Sequence, residues 1–252
     1  MRGRSRAGAF VLAAAVTGAG LAALRRNAPG SRADWERKNH AGRTVELYAG
    51  PASAVGVALS AARVHPAAGA AVLAAGACGA YDDVAGHVRG DTRRGFRAHL
   101  GALRNGEVTS GAVKLFGISA AGLVAGALMK ERPLDKLLAG IVIAGGAHFV
   151  NLVDVRPGRA VGAVLALGAP GLLRKGPGAE LSAAAMGAAA AVLPEDLAER
   201  MMIGDTGAHA LGAALGAAVV AGNRRPGLLV HAVAVVAAAV YGDRVTAFAR
   251  SL

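Results

Sequence analysis

Polar residues with metal- and phosphate-binding chemistry interrupt this apolar chain at three places. Asp82 and Asp83 stand in "GAYDDVAG", Asn151 and Asp154 in "NLVDVRPGRA", and Asp205 in "MMIGDTGAHALG". Each aspartate lies at one end of an apolar stretch, where a carboxylate can cap a helix. Capping explains any one of them alone. Three such sets in one chain favour a shared site.

Carboxylates that stay charged near one another need a positive partner. Mg²⁺ suits them, because it binds one or two carboxylates together with phosphate oxygens of a substrate. Mn²⁺ accepts the same oxygen ligands. Lys114 suits phosphate oxygens as well, and so do the arginines of nearby loops. The arginine candidates for contact with a pyrophosphate are Arg93, Arg94 and Arg156.

This combination of Mg²⁺, carboxylates and basic residues predicts phosphoryl transfer. The sequence has no G-x-x-x-x-G-K-[ST] loop, so the phosphate donor is not held as in P-loop ATPases. Two other interpretations stay open. Lys114 could extend to the membrane surface as an interfacial lysine, and Arg93 and Arg94 could bind anionic lipid headgroups.

The elements that must position these residues are apolar helices. Of the 252 residues, 54% are hydrophobic and only 17% charged, whereas water-soluble domains carry about 25% charged residues. The period-two alternation of a membrane β-barrel is absent. The composition therefore predicts an all-α, polytopic transmembrane bundle of about nine spans in one domain, 1–252. The expected spans are 9–24, 48–64, 66–81, 112–130, 137–153, 159–173, 179–193, 206–222 and 228–241.

The net charge of +12 indicates how the chain is oriented. With nine spans, the loops 25–47, 82–111, 154–158 and 194–205 share one face, which carries the larger share of the Lys and Arg residues. The positive-inside rule makes that face cytoplasmic, although three arginines before the first span favour the opposite orientation. The three acidic sets lie on the same face. Nucleic acid is not an expected partner, because aromatic residues for base stacking make up only 4% of the chain.

The order of the motifs resembles a known enzyme family. "GAYDDVAG", "GEVTSGAVKLFG", "NLVDVRPGRAVG" and "MMIGDTGAHALG" follow one another as in the polyprenyl-phosphate N-acetylhexosamine-1-phosphate transferases, the MraY/WecA-type membrane enzymes. The similarity covers about residues 34 to 222. It implies Mg²⁺-dependent transfer of a sugar-1-phosphate from a UDP-sugar to a polyprenyl phosphate, with release of UMP. It also implies a multi-pass protein of the cell membrane with a cytoplasmic active site, acting in cell-wall or envelope polysaccharide synthesis.

The resemblance also implies roles for individual residues. Asp205, with help from Asp154, matches the metal ligand of the family. Asp82 and Asp83 match paired aspartates near the lipid phosphate, and Lys114 matches a lysine near the phosphates. The expected catalytic residues are Asp82, Asp83, Asp154 and Lys114, and the expected metal ligands are Asp205 and Asp154.

At two places the sequence departs from the family pattern, and both affect the expected recognition of the nucleotide-sugar. Asn151 matches the first Asn of the family pattern N-x-x-D-G-x-D-G, but Val155 and Pro157 replace its first Gly and second Asp. The His-rich loop of many members is absent as well. A catalytically degenerate lipid-phosphate-binding or scaffold protein of envelope assembly is therefore the alternative. The sequence leaves open which sugar is used and whether the chain forms a homodimer.

Overall fold

The computed structural model describes residues 5–86, 101–102 and 104–252. Over this part the chain is almost entirely α-helical, so the predicted all-α class is confirmed. The helices are α1 (Arg6–Arg26), α2 (Ala49–Val64), α3 (Pro66–Tyr81), α4 (Ser110–Met129), α5 (Pro133–Leu152), α6 (Arg159–Leu172), α7 (Pro177–Leu197), α8 (Gly204–Gly222), α9 (Arg225–Val240) and α10 (Gly242–Ser251). A π-helical turn, Asp82–Gly86, follows α3, and a 3₁₀ turn, Arg32–Trp35, follows α1.

Local sequence signals explain where several helices begin. The Ser5 hydroxyl accepts a hydrogen bond from the Gly8 amide at 3.0 Å and caps α1, and the Thr109 hydroxyl does the same for Ala112 and α4. Proline stands in the first turn of α3, α5, α7 and α9. Its missing amide hydrogen costs nothing there, because first-turn amides have no partner within the helix.

Helix α8 forms the centre of the bundle. Fifteen of its nineteen residues are buried, and it packs against α2, α3, α5, α6 and α7. Small residues make this packing close. A Cβ atom on Gly212 of α8 would stand 2.3 Å from the Gly146 carbonyl oxygen of α5. The Ala/Gly-rich composition thus serves close approach of helix backbones, as it does in membrane bundles.

The number of membrane spans differs from the sequence prediction. In the described part of the chain, three helices are long and apolar enough to cross a membrane, α1, α4 and α5; a fourth span results if α9 and α10 count as one bent pair. The expectation of nine spans is not supported. Helices α2, α3, α6 and α9 have only 14 to 16 residues, about 24 Å at most against a hydrocarbon core of about 30 Å.

A small polar substructure closes the bundle end at which α8 begins. Strands β1 (Glu36–Lys38) and β2 (Thr44–Glu46) pair antiparallel between α1 and α2, with Arg37 opposite Val45. The outer edge of β2 pairs with the segment before α8, where the Met202 amide donates to the Glu46 carbonyl oxygen at 3.0 Å. The hairpin therefore fixes the loop that leads into Asp205.

Candidate functional site

Lys114 links two of the predicted acidic sets. Its Nζ lies 2.7 Å from Oδ2 of Asp82, and it also pairs with Oδ2 of Asp205. All three side chains are mostly buried, so the pairs are weakly screened by water. Burial raises the pKa of Asp82, but the hydrogen bond with Asp205 and the Lys114 charge outweigh burial and bring the pKa below its usual range. Lys114 is thus a partner of carboxylates rather than an isolated interfacial lysine.

Asp83 holds the first turn of α8. Its carboxylate accepts hydrogen bonds from the amides of Asp205, at 3.1 Å, and Thr206, at 3.0 Å, and from the Thr206 hydroxyl at 2.6 Å. This is a helix cap supplied by a residue far away in the sequence. Arg37 of β1 donates to the Asp83 carbonyl oxygen at 2.7 Å, so the hairpin holds the same segment.

Glycines allow three elements to meet at the start of α8. A Cβ atom on Gly79 of α3 would lie 2.3 Å from the Asp205 carbonyl oxygen, and one on Gly50 of α2 would lie 2.4 Å from the Ile203 carbonyl oxygen. Gly204 has φ +55°, a left-handed conformation that favours glycine. The positions of Asp82, Asp83 and Asp205 therefore depend on residues that are not polar at all.

Asp154 lies in the turn after α5, close to the other carboxylates. Burial raises the pKa of Asp154 well above its usual value, and the negative charges of Asp196, Asp205 and Asp83 raise it further. The structure thus brings all three sequence sets together. Lys114 pairs with two of these carboxylates, Asp82 and Asp205.

Asp196 is a fifth carboxylate of this group, and the sequence analysis missed it. It is buried near the end of α7, and its Oδ2 accepts a hydrogen bond from the Gly158 amide at 2.6 Å. Burial raises the pKa of Asp196, and this hydrogen bond partly offsets the shift. Asp196 thereby fixes the turn that carries Asp154. In the sequence it looks like an ordinary helix-end charge in "LPEDLAER". We call Asp82, Asp83, Asp154, Asp196 and Asp205, with Lys114, the acidic site.

The structure describes only two of the four predicted substrate-binding residues. Asn151 lies in the last turn of α5, three residues before Asp154, with its side chain partly exposed. Arg156 is exposed in the turn between α5 and α6. Arg93 and Arg94 lie outside the described residues, so their predicted roles stay predictions.

Two histidines lie next to the acidic site: His209 is buried, and His148 is half-buried. The Nδ1 atom of His209 lies 2.7 Å from the Asp205 carbonyl oxygen. The rings of His209 and His148 meet edge to face at 5.6 Å. They pack the start of α8 against the last turns of α5.

The ligand chemistry of the acidic site fits a hard divalent cation. Its oxygen atoms are the type that Mg²⁺ prefers, and its excess negative charge would be reduced by a bound cation. Among the described residues, no group of three or more His, Cys, Asp or Glu side chains is arranged to hold a metal ion by itself. Mg²⁺ commonly binds through one or two carboxylates plus substrate phosphates, so the roles of Asp205 and Asp154 as metal ligands stay predictions.

A largely apolar cavity of about 210 Å³ lies on another side of α8. It is bounded by α5, α6, α7, α8 and α9. Its wall begins near the site end of α5, at Phe149 and Val150, and reaches Arg174 and Asn223 at the opposite end of the bundle. The lining of this cavity is apolar enough to contact a hydrocarbon chain.

The chain was compared with known protein families and with curated proteins. Neither comparison gave a match. The resemblance to the MraY/WecA-type transferases therefore remains a hypothesis that depends on the motifs and on the geometry described above.

Proposed function

We propose that the protein is a membrane enzyme that transfers a sugar-1-phosphate from a UDP-sugar to a polyprenyl phosphate in a Mg²⁺-dependent reaction that releases UMP. The observation that carries the proposal is the acidic site. Lys114 pairs with Asp82 and Asp205, Asp83 caps the helix that begins at Gly204, and Asp154 and Asp196 lie near this end of the bundle, which carries many basic residues. This arrangement suits a cation and several phosphate groups.

In the proposed reaction an oxygen atom of the lipid phosphate attacks the β-phosphorus of the UDP-sugar. The bond from that phosphorus to the bridging oxygen breaks, and UMP leaves with the electron pair. Asp205 and Asp154 would hold Mg²⁺, which would supply positive charge to stabilise the pyrophosphate. Lys114 would then give up part of its ion pairing with Asp82 and Asp205 and donate hydrogen bonds to phosphate oxygens.

The two neighbouring aspartates would have different tasks. The Asp83 carboxylate already accepts three hydrogen bonds at the start of α8, so its role is to position Asp205. Asp82 faces Lys114 and is the better candidate to orient the attacking phosphate. Asn151, Arg156, Arg93 and Arg94 are proposed contacts of the nucleotide-sugar.

The apolar surface of the molecule supports a lipid acceptor. The cavity beside α8 is lined mainly by Val, Leu, Gly and Ala side chains and starts near Asn151. We propose that the bundle lies in the cell membrane, with the shorter helices packed around the candidate spans and the acidic site facing the cytoplasm.

A lipid-phosphate-binding protein without catalytic activity is the second candidate. Pro157 stands where the resembled family has its second motif aspartate, so one carboxylate is lost from the turn that carries Asp154. Such a protein would bind polyprenyl phosphate and release no nucleotide.

The decisive experiment combines product formation with nucleotide release. Purified protein in lipid nanodiscs is incubated with Mg²⁺, polyprenyl phosphate and a panel of radiolabelled UDP-sugars. We expect labelled lipid and UMP in equal amounts with at least one sugar, and loss of both in D205N. The control D243N changes an exposed aspartate of α10 and should stay active. Lipid binding without UMP across the panel would support the second candidate, and labelling that survives D205N would refute the proposed mechanism.

A further inference from the structure

The C-terminal helix turns sharply away from the bundle axis. α9 and α10 meet at a bend of 85° after Val240. Most of α9 faces outward, since only Leu228 and Ala232 are buried. Its exposed apolar side chains are Leu229, Val230, Val233, Val236 and Val240. A helix surface of this kind suits contact with lipid tails. With α9 along the membrane normal, the bend would direct α10 along the membrane plane.

Helix α10 is too polar to enter the hydrocarbon region. Its ten residues include Asp243, Arg244 and Arg250, and each charge is expensive to place in the bilayer centre. A short amphipathic helix with basic residues is instead typical of the membrane surface. These features distinguish α10 from the second half of a broken span.

The two sides of α10 have different environments. Ala249 is buried, and the Thr246 hydroxyl donates to the Leu152 carbonyl oxygen at the end of α5 at 3.0 Å. The adjoining flank carries Phe248, and Leu252 follows directly after the last residue of α10. Both side chains are 64% exposed. One face of α10 is therefore held by the bundle, whereas Phe248 and Leu252 are exposed.

The two arginines of α10 lie apart from the carboxylates that the structure describes. The Arg244 guanidinium lies 5.4 Å from the centre of the Tyr241 ring. Arg244 and Arg250 are exposed, and neither forms an ion pair with any carboxylate in the described part of the chain. Tyrosine and arginine side by side are common at the level of lipid headgroups. Charge complementarity thus favours anionic lipid phosphates as the partners of these arginines.

We propose that α10 is a membrane-surface anchor: Phe248 and Leu252 enter the outer part of the acyl layer, and Arg244 and Arg250 bind the phosphates of anionic lipids. The anchor holds the end of α5, and with it Asn151 and the Asp154 turn, at a fixed depth below the membrane surface. The proposal needs the bundle to lie in a membrane but does not depend on transferase activity.

The first test of this proposal measures how deep the side chains of α10 lie in the lipid bilayer. Full-length protein with Cys78→Ser carries one nitroxide label in nanodiscs, and accessibility to oxygen is compared with accessibility to a water-soluble nickel chelate. A label at Phe248→Cys should favour oxygen, as at the reference position Val233→Cys on α9. A label at the neighbouring position Ala247→Cys should favour nickel. The proposal fails if position 248 behaves like position 247, or if position 233 is itself in water.

Its second test measures lipid preference. Nanodiscs are assembled from equal phosphatidylglycerol and phosphatidylcholine, and the lipids retained after extraction in detergent are quantified. Replacing Arg244 or Arg250 by Gln should lower the phosphatidylglycerol preference by about fivefold for each arginine. The control Arg63→Gln changes an exposed arginine at the other end of the bundle and should leave the phosphatidylglycerol preference unchanged. A full preference in the double variant R244Q/R250Q would overturn the proposal.

Discussion

At the scale of single residues, Lys114 balances part of the negative charge of the acidic site. Its ammonium group pairs with Asp82 and Asp205 where all three side chains are mostly buried. Removing one member of a buried ion pair leaves an uncompensated charge, which is more costly than losing the pair as a whole. The variant K114M should therefore unfold more easily, by about 3 kcal/mol, in thermal melts of detergent-solubilised protein.

The Lys114 prediction has two controls. K114R keeps the positive charge and should lose much less stability. K114M/D82N removes a carboxylate together with the lysine and should recover part of the loss. A K114M protein as stable as the wild type would show that the ion pairs contribute little.

Glu195, which lies outside the acidic site, makes a pH-dependent contribution to the stability of the folded protein. Its hydrogen bonds with Arg200, at 2.8 and 3.1 Å, and with Arg25 outweigh burial and lower its pKa to about 2. A carboxylate with a lowered folded-state pKa stabilises the protein above its unfolded pKa of about 4.3, and this stability is lost as the pH falls through about 2.

We therefore expect E195Q to lower the melting temperature at pH 7 and to match the wild type near pH 2. The loss at pH 7 should be about 1 kcal/mol, since the two arginines are partly exposed and screened by water. An E195Q effect that is equally large at both pH values would show that packing, and not charge, causes it.

At the scale of elements, the start of α8 depends on a carboxylate from another segment. Asp83 satisfies two amides that have no partner within the helix. We expect D83A to destabilise the protein by about 1–2 kcal/mol and to speed hydrogen exchange at the first turn of α8. The control D34A removes a local cap of the 3₁₀ turn and should leave α8 unchanged. Unchanged exchange in D83A would contradict the capping role.

The contact between α3 and α8 is a second requirement at this scale. A methyl group on Gly79 would collide with the Asp205 carbonyl oxygen, so G79A must push the acidic site apart. We expect a loss of about 1–3 kcal/mol and loss of activity. The matched variant G18A in α1, where a Cβ atom meets no heavy atom within 4 Å, should be neutral in both assays.

At the scale of the whole molecule, the positive-inside pattern predicts that the acidic site faces the cytoplasm. In a Cys78→Ser background, a cysteine at Ala41 in the hairpin should be labelled by an impermeant maleimide only after the cells are permeabilised. A cysteine at Glu131, in the turn between α4 and α5, should react in intact cells. The reverse pattern would place the acidic site outside.

Much of the helical fold could be predicted from the sequence. Each of the nine apolar stretches coincides with a helix, with ends that differ by a few residues, because apolar runs bounded by Pro, Gly and charged residues mark helices strongly. The count of nine spans is not supported, because several of these helices have only 14 to 16 residues and an apolar stretch in the sequence does not fix the length of the helix that it forms. Helix α10 was missed, because it is short and has charged residues.

The acidic site was predictable only in part. Asp82, Asp83, Asp154, Asp205 and Lys114 could be singled out, because charges are scarce in this chain and stand at the ends of apolar stretches. Asp196 could not, since its partner is a backbone amide that folding brings close. The different tasks of Asp82 and Asp83 were hidden as well, because neighbours in sequence look alike until their hydrogen-bond partners are known.

By itself, the sequence determined that this chain forms apolar helices with polar chemistry at their ends, because hydrophobicity and charge spacing are local properties. Only the tertiary structure decided which carboxylates share one lysine, which one caps α8, and that α10 bends by 85° from α9. Those features depend on backbone contacts at Gly50, Gly79 and Gly204 and on distances between segments far apart in the chain. A linear pattern does not contain such distances, since close packing of small residues sets them.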